Sequence, residues 1–246
     1  MPHTLIVGGT RGLGRIVARL AADGGHQVSV IGRREPAEAD RKLSGVRHWV
    51  ADIEDRSALA GTLEAIVAET GKLNYLVFCQ RYRGSGDAWA GEIDITLDLT
   101  KAVIERMQGE FAPDGDKAMV LVSSVFADFV GEGQAVSYHV AKAGLNQMMR
   151  YYAVNLGRKG IRVNGVTPFT FLKEESRDFY LKNKALHDLY RKITPLGRMA
   201  TAEDSARVIA FLCSPAAGFV NGQNIYVDGG LSLLWPETLA RGLTGL

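Results

Sequence analysis

Two cysteines in 246 residues, Cys79 and Cys213, are too few for a disulfide-stapled scaffold. Each lies inside an apolar stretch, LVFCQ and AFLCS, so both read as buried free thiols of a reducing compartment. No run approaches the roughly 18 consecutive apolar residues of a membrane-spanning helix. The opening MPHTLIVGGT carries no basic leader or cleavage site, so the expected location is cytoplasmic, with no membrane partner. A net charge of only +2, with no block of like charges, argues against nucleic acid as a partner. His3, His26, His48, His139 and His187 are scattered, and neither HExxH nor paired CxxC spacing occurs, so no metal site is expected. Linkers rich in Pro or Ser and internal repeats are also missing, which predicts a single domain over 1–246.

What the sequence does contain is alternation. Short β-branched runs at 4–7, 27–31, 46–51, 73–78, 118–123, 161–166 and 224–227 read as seven strands. Between them lie stretches with helical spacing, such as Leu13, Ile16, Val17 and Leu20, or Leu59, Leu63, Ile66 and Val67. Strand–helix–strand repetition requires right-handed crossovers and a parallel sheet covered on both faces. The expected fold is therefore α/β, a Rossmann-type doubly wound sheet. Ligands bind such sheets beyond the carboxyl ends of the strands. The irregular, charge-mixed segment 168–200 is accordingly expected to act as a substrate lid.

Directly after the first strand comes Gly8-Gly9-Thr10-Arg11-Gly12-Leu13-Gly14, and then a helical pattern opens. Glycines suit this place because the chain turns tightly and a pyrophosphate must approach bare backbone, while the helix N-terminus offers free N–H groups. Sites for NAD usually hold a carboxylate at the end of the second strand to grip the ribose 2′-hydroxyl. Here Gly32 stands there, followed by Arg33 and Arg34, with Arg11 in the glycine loop. Cations in place of that carboxylate suit a 2′-phosphate and point to NADP(H).

Tyr138 and Lys142 stand four residues apart at the start of a helical pattern, which puts phenol and ammonium on one face. A cation at about 4 Å lowers a phenol pKa by about 3 units, or about 4 kcal/mol, at an effective dielectric near 20. The spacing thus predicts Lys142 tuning Tyr138 as a proton donor. Ser124, ending the fifth strand, would donate a hydrogen bond to the developing oxyanion.

With GGTRGLG at 8–14, Asp52-Ile53, VSSV at 122–125, YHVAK at 138–142, GIRVNGVTP at 160–168, PLGRMATAED at 195–204 and NGQNIYVDGG at 221–230, the chain strongly resembles the short-chain dehydrogenase/reductase family over nearly its whole length. The resemblance implies hydride transfer that reduces a ketone or aldehyde to an alcohol. It also implies a catalytic Ser124, Tyr138 and Lys142, and a homo-oligomer, a tetramer or a dimer. Cofactor contacts are expected at Gly8, Thr10, Arg11, Gly12, Leu13, Gly14, Arg33, Asp52, Ile53, Cys79, Tyr138, Lys142 and Pro168. In that set Asp52 would meet the adenine edge, Ile53 would flank it, and Lys142 would hold the nicotinamide ribose.

Departures are equally specific. Phe78-Cys79-Gln80-Arg81 replaces the family's usual Asn-Asn-Ala-Gly, and Glu92, with Asp94 nearby, stands where a helix asparagine is usual. Phe169 follows Pro168 in place of glycine, and the Ser124–Tyr138 spacing is one residue longer than the commonest. A long cation at Arg81, with Arg83 two residues on, raises the expectation of an anionic group on the substrate. The altered loop also admits a rival reading, a non-catalytic dinucleotide-binding sensor or scaffold, against which the retained Ser124, Tyr138 and Lys142 weigh. The apolar tail LSLLWPETLARGL is expected either to pack on a neighbouring copy or to close the pocket.

Overall fold

The computed structural model describes residues 1–172 and 182–244. Along the first half of the chain run β1 (His3–Val7), α1 (Gly12–Asp23), β2 (Gln27–Gly32), α2 (Glu38–Arg41), β3 (Val46–Val50), α3 (Arg56–Thr70), β4 (Tyr75–Phe78), α4 (Ala88–Ile93) and α5 (Leu99–Met107). The second half holds β5 (Ala118–Val122), α6 (Val136–Gly157), β6 (Arg162–Pro168), β7 (Phe171–Leu172), α7 (Lys184–Ile193), β8 (Ala200–Thr201), α8 (Ala202–Leu212), β9 (Asn224–Val227) and α9 (Pro236–Thr244). Every strand read from the sequence is present, with bounds within two residues of those expected.

Seven strands, all parallel, form the sheet in the order β3-β2-β1-β4-β5-β6-β9. Strand order reverses between β1 and β4, so a crevice opens at their carboxyl ends. Helices cover both faces, which is why β1, β4 and β6 are buried at every position. Successive residues alternate between faces: Leu5 packs with Leu76, Leu99 and Met149 under α3, α5 and α6, whereas Ile6 packs with Val17, Val30 and Ile209 under α1 and α8. Among the described residues, no helix is long and apolar enough to cross a membrane.

Several motif residues outside the crevice hold the frame. Asn221 accepts the Val163 N–H at 2.8 Å and donates to the Ala153 carbonyl at 2.9 Å, tying β6, α6 and the approach to β9 together. Asp228 receives the N–H groups of Gly230 and Ser232, at 2.9 and 2.7 Å, where Gly229 and Gly230 turn through positive φ. Both cysteines are free; Cys213 is buried as expected, but Cys79 is only half-buried because it borders the crevice.

Of the segment expected to act as a lid, Lys173, Glu174, Glu175, Arg177 and Asp178 lie outside the described residues. Its two ends are pinned together by the β7–β8 pairing, Phe171 with Ala200 and Leu172 with Thr201. Helix α7 rests Tyr190 edge-on against Phe169, with ring centres 5.9 Å apart. The tail helix α9 packs on α7 and leaves Leu233 and Trp235 exposed.

Candidate active site

A cleft of about 520 Å³ occupies the crevice, lined by the loops after β1, β4, β5 and β6. Gly8 has φ +83°, and a Cβ there would stand 2.6 Å from the Gln80 nitrogen; one on Gly14 would stand 2.5 Å from the Gly8 carbonyl. Only glycine lets the β1 loop fold this closely against the β4 loop and α1. Arg11 occupies the N-cap of α1 without a side-chain cap, so the first-turn N–H groups remain open to the cleft. An uncapped 12-residue helix behind a glycine cradle fits a dinucleotide pyrophosphate.

Of the expected cofactor-contact residues, Gly8, Thr10, Arg11, Gly12, Leu13, Gly14, Arg33, Ile53, Cys79, Tyr138, Lys142 and Pro168 line the cleft. Asp52 does not: its carboxylate turns back to accept the Glu54 N–H at 3.0 Å. Arg33 is held by Glu54 at 3.0 Å, while Arg11 and Arg34 make no ion pair with any described residue. Gly32 has a second reason to be small. A Cβ there would meet the Thr10 side chain, with Oγ1 only 2.9 Å away.

At the other end of the cleft, Ser124 caps a short 3₁₀ turn, Val125–Ala127, by accepting the Phe126 N–H at 3.3 Å. Ser124 and Tyr138 line the same end of the cleft, and the serine hydroxyl favours the ionised phenol. Phe126 lies edge-on to the Tyr138 ring, 6.3 Å between centres, and against His139. His139 takes the Gly131 N–H on Nε2 at 3.0 Å, and its Nδ1 lies 2.9 Å from the Ala135 carbonyl; it braces the loop and stays off the cleft.

Lys142 is 5% exposed and donates to the Val122 carbonyl at 2.9 Å. Burial pulls its pKa down to about 8, opposed by the negative charge of Glu92 and assisted by Arg81. The expectation that Lys142 depresses the Tyr138 pKa is corrected here. Burial pushes the phenol up, helped by the Glu92 charge, and the Ser124 hydroxyl and the Arg81 charge, rather than Lys142, work against that rise. Geometry explains the difference: the Lys142 nitrogen is 5.7 Å from the Tyr138 ring centre and engaged with a backbone carbonyl. A raised pKa keeps the phenol protonated near neutrality, as a proton donor requires.

Glu92 and Asp94 separate clearly in space. Glu92 is buried behind Lys142, accepting a hydrogen bond from Thr96 at 3.4 Å, and burial raises its pKa while Lys142, Thr96 and Arg81 lower it. Asp94 is instead paired with Arg56 on the outside. A π-helical turn, Asp94–Asp98, follows α4 and was not legible in the sequence. Gln80, likewise without a predicted role, donates to Thr100 at 2.8 Å, and its buried carbonyl oxygen beside the cleft has no hydrogen-bond partner among the described residues.

A family model described as Enoyl-(Acyl carrier protein) reductase matches residues 7–232. The chain is a short-chain dehydrogenase/reductase. This short-chain dehydrogenase/reductase is 32% identical over 242 residues to the cis-4-hydroxycyclohexanecarboxylate dehydrogenase of Sinomonas cyclohexanicum, covering 92% of this chain and 94% of that protein. It is 30% identical to the 3-oxoacyl-(acyl-carrier-protein) reductase FabG of Staphylococcus aureus, over 92% of this chain and 96% of the relative. A gluconate 5-dehydrogenase from Burkholderia cenocepacia, solved in complex with NADP and tartrate, superposes with a TM-score of 0.82 at 26% identity, covering 95% of this chain and 96% of that one. Family membership makes the protein an oxidoreductase that binds a nicotinamide dinucleotide.

Proposed function

We propose that the protein is an NADP(H)-dependent carbonyl reductase, reducing a ketone or aldehyde to an alcohol with Tyr138 as proton donor. The observation that carries this reading is the convergence of Ser124, Tyr138 and Lys142 on the switch-point cleft, with Lys142 one helical turn beyond Tyr138 along α6. When bound, the nicotinamide supplies a hydride to the carbonyl carbon. Ser124 orients the carbonyl oxygen, and the Tyr138 Oη–H bond breaks as the new alcohol O–H forms. Lys142 places a buried cation at the base of the site.

NADP(H) is preferred over NAD(H) because Arg11, Arg33 and Arg34 line the cleft where Gly32 replaces a carboxylate at the end of β2, although Arg33 also pairs with Glu54. The relatives support that choice through the NADP complex of the gluconate dehydrogenase. Purified protein should oxidise NADPH when offered a panel of ketones and aldehydes, and NADH much more slowly. Tyr138→Phe should cut kcat by about 10²–10⁴ while leaving NADPH affinity within a few-fold. Arg33→Ser and Arg34→Ser, measured separately, should weaken NADPH without weakening NADH. Equal use of both nucleotides by the wild type overturns the cofactor assignment; wild-type-like turnover by Tyr138→Phe overturns the mechanism.

A further inference from the structure

The loop after β4 carries two arginines into the cleft, Arg81 at its catalytic end, and it is built to do so. Tyr82 lies between Arg81 and Arg83 and packs against the apolar core. Side chains on Gly84 or Gly91 would overlap its ring, so these glycines form the notch that receives it. With Tyr82 anchored inward, its two neighbours both line the cleft. The Arg81 guanidinium carbon stands 5.9 Å from the centre of the Tyr138 ring.

Charge in the cleft is one-sided. Arg11, Arg33, Arg34, Arg81, Arg83 and Lys142 line it, and among the described lining residues there is no carboxylate. The first three lie at the strand end expected to hold the nucleotide. Arg81 lies at the opposite end, beside the proton donor, Arg83 lines the same cleft two residues on, and neither makes a hydrogen bond or ion pair with a described residue. Exposed guanidinium groups that line one cleft repel one another, and an anion held between them relieves that repulsion.

We propose that Arg81 and Arg83 clamp a carboxylate carried by the substrate a few bonds from its carbonyl, so that the preferred substrates are small keto acids. The clamp rests on the reading of Tyr138 as proton donor, and it adds a substrate class to that reading. A guanidinium pairs with a carboxylate through two parallel N–H donors, which fixes orientation as well as position. Holding the carboxylate in this way aims the carbonyl at Tyr138 and Ser124.

The test is steady-state kinetics with NADPH on straight-chain oxo acids, from 2-oxobutanoate to 5-oxohexanoate, and on the methyl ester of each. The quantity read is the ratio of kcat/KM for an acid to that for its own ester. This ratio cancels any effect of Arg81 on the Tyr138 pKa, since that effect applies equally to both. Wild type should favour at least one acid by tenfold or more. Arg81→Gln and Arg83→Gln should each reduce that ratio by about ten- to a hundred-fold, the range of a charge-assisted hydrogen bond, and Arg81→Lys should restore part of it. A wild-type ratio near one, or a ratio that either glutamine variant leaves unchanged, overturns the clamp while leaving the proposed reductase intact. If neither acids nor esters are reduced, the carbonyl-reductase reading fails for these compounds. The clamp is then judged by calorimetric titration of the NADP-loaded protein with the same acids: binding that disappears in Arg81→Gln upholds it, and absence of binding to wild type overturns it.

Discussion

Lys142 is a cation kept in a place that disfavours cations, and the consequences can be measured. Its folded pKa of about 8 lies below the ordinary lysine value of 10.5 because of burial. Between those values the unfolded chain holds a proton that the folded chain lacks, so stability rises with pH across that window. Below about pH 8 the folded state carries the full cost of the buried charge, of order 3 kcal/mol. Lys142→Met should therefore abolish turnover yet stabilise the nucleotide-free protein at pH 7 by about 2 kcal/mol, once the lost bond to Val122 is allowed for. Thermal melts of wild type and variant should differ by several degrees at pH 7 and converge by about pH 10; a gap that grows with pH contradicts the assignment. Glu92 acts on the same group from behind. Removing its charge in Glu92→Gln withdraws the one influence of a carboxylate that raises the Lys142 pKa, so the alkaline limb of the kcat/KM profile should move to lower pH. A limb that stays or moves upward argues against the coupling.

Among the elements, α8 shows how a family motif can be structural rather than chemical. Thr201 and Asp204 form a reciprocal capping box, and Arg198 grips the same carboxylate with two bonds of 2.7 and 2.8 Å. The Arg198 bonds and the Thr201 N–H hold the Asp204 pKa down at about 2 against the opposing effect of burial. The stabilisation they give is complete above the ordinary carboxylate pKa and is lost as pH falls through about 2. Asp204→Ala should cost about 1 kcal/mol, or roughly 2–4 °C in Tm, with kcat/KM nearly unchanged. A large loss of activity in this variant would mean that α8 positions the cleft rather than merely supporting the sheet. The box itself is readable in the sequence as Thr-x-x-Asp before an apolar run, because a capping box is a local device. The notch that seats Tyr82 is not: Gly84 and Gly91 are seven residues apart, and only the packed loop brings both to one ring.

For the whole molecule, net charge is a poor guide to the field a ligand meets. The chain totals only +2, yet its main cleft is lined by five arginines and a lysine without a described acid. Such a cleft steers anions, and the steering is screened by salt. The association rate for NADPH should fall severalfold as ionic strength rises from about 0.01 to 0.15 M, where the screening length contracts from about 30 to 8 Å, while the dissociation rate changes much less. Stopped-flow measurement of nucleotide binding across that range checks this, and a salt-independent association rate would place the cations away from the entry path.

By itself the sequence determined the seven strands, the helices between them and the glycine turn, because period-2 and period-3.6 burial and the steric demands of a tight turn are local properties. It also determined which groups of α6 share a face, since Tyr138 and Lys142 are one helical turn apart. Only the tertiary structure decided what those groups do to each other. Tyr138 is raised rather than lowered because burial, a property of everything packed around it, outweighs the Ser124 hydroxyl and the Arg81 charge. Glu92 rather than Asp94 lies behind Lys142 because α4 turns that residue inward and Arg56 holds the other outside. Cations distant in sequence, from Arg11 to Lys142, become one field because parallel strands deliver every β-to-α loop to the same edge of the sheet.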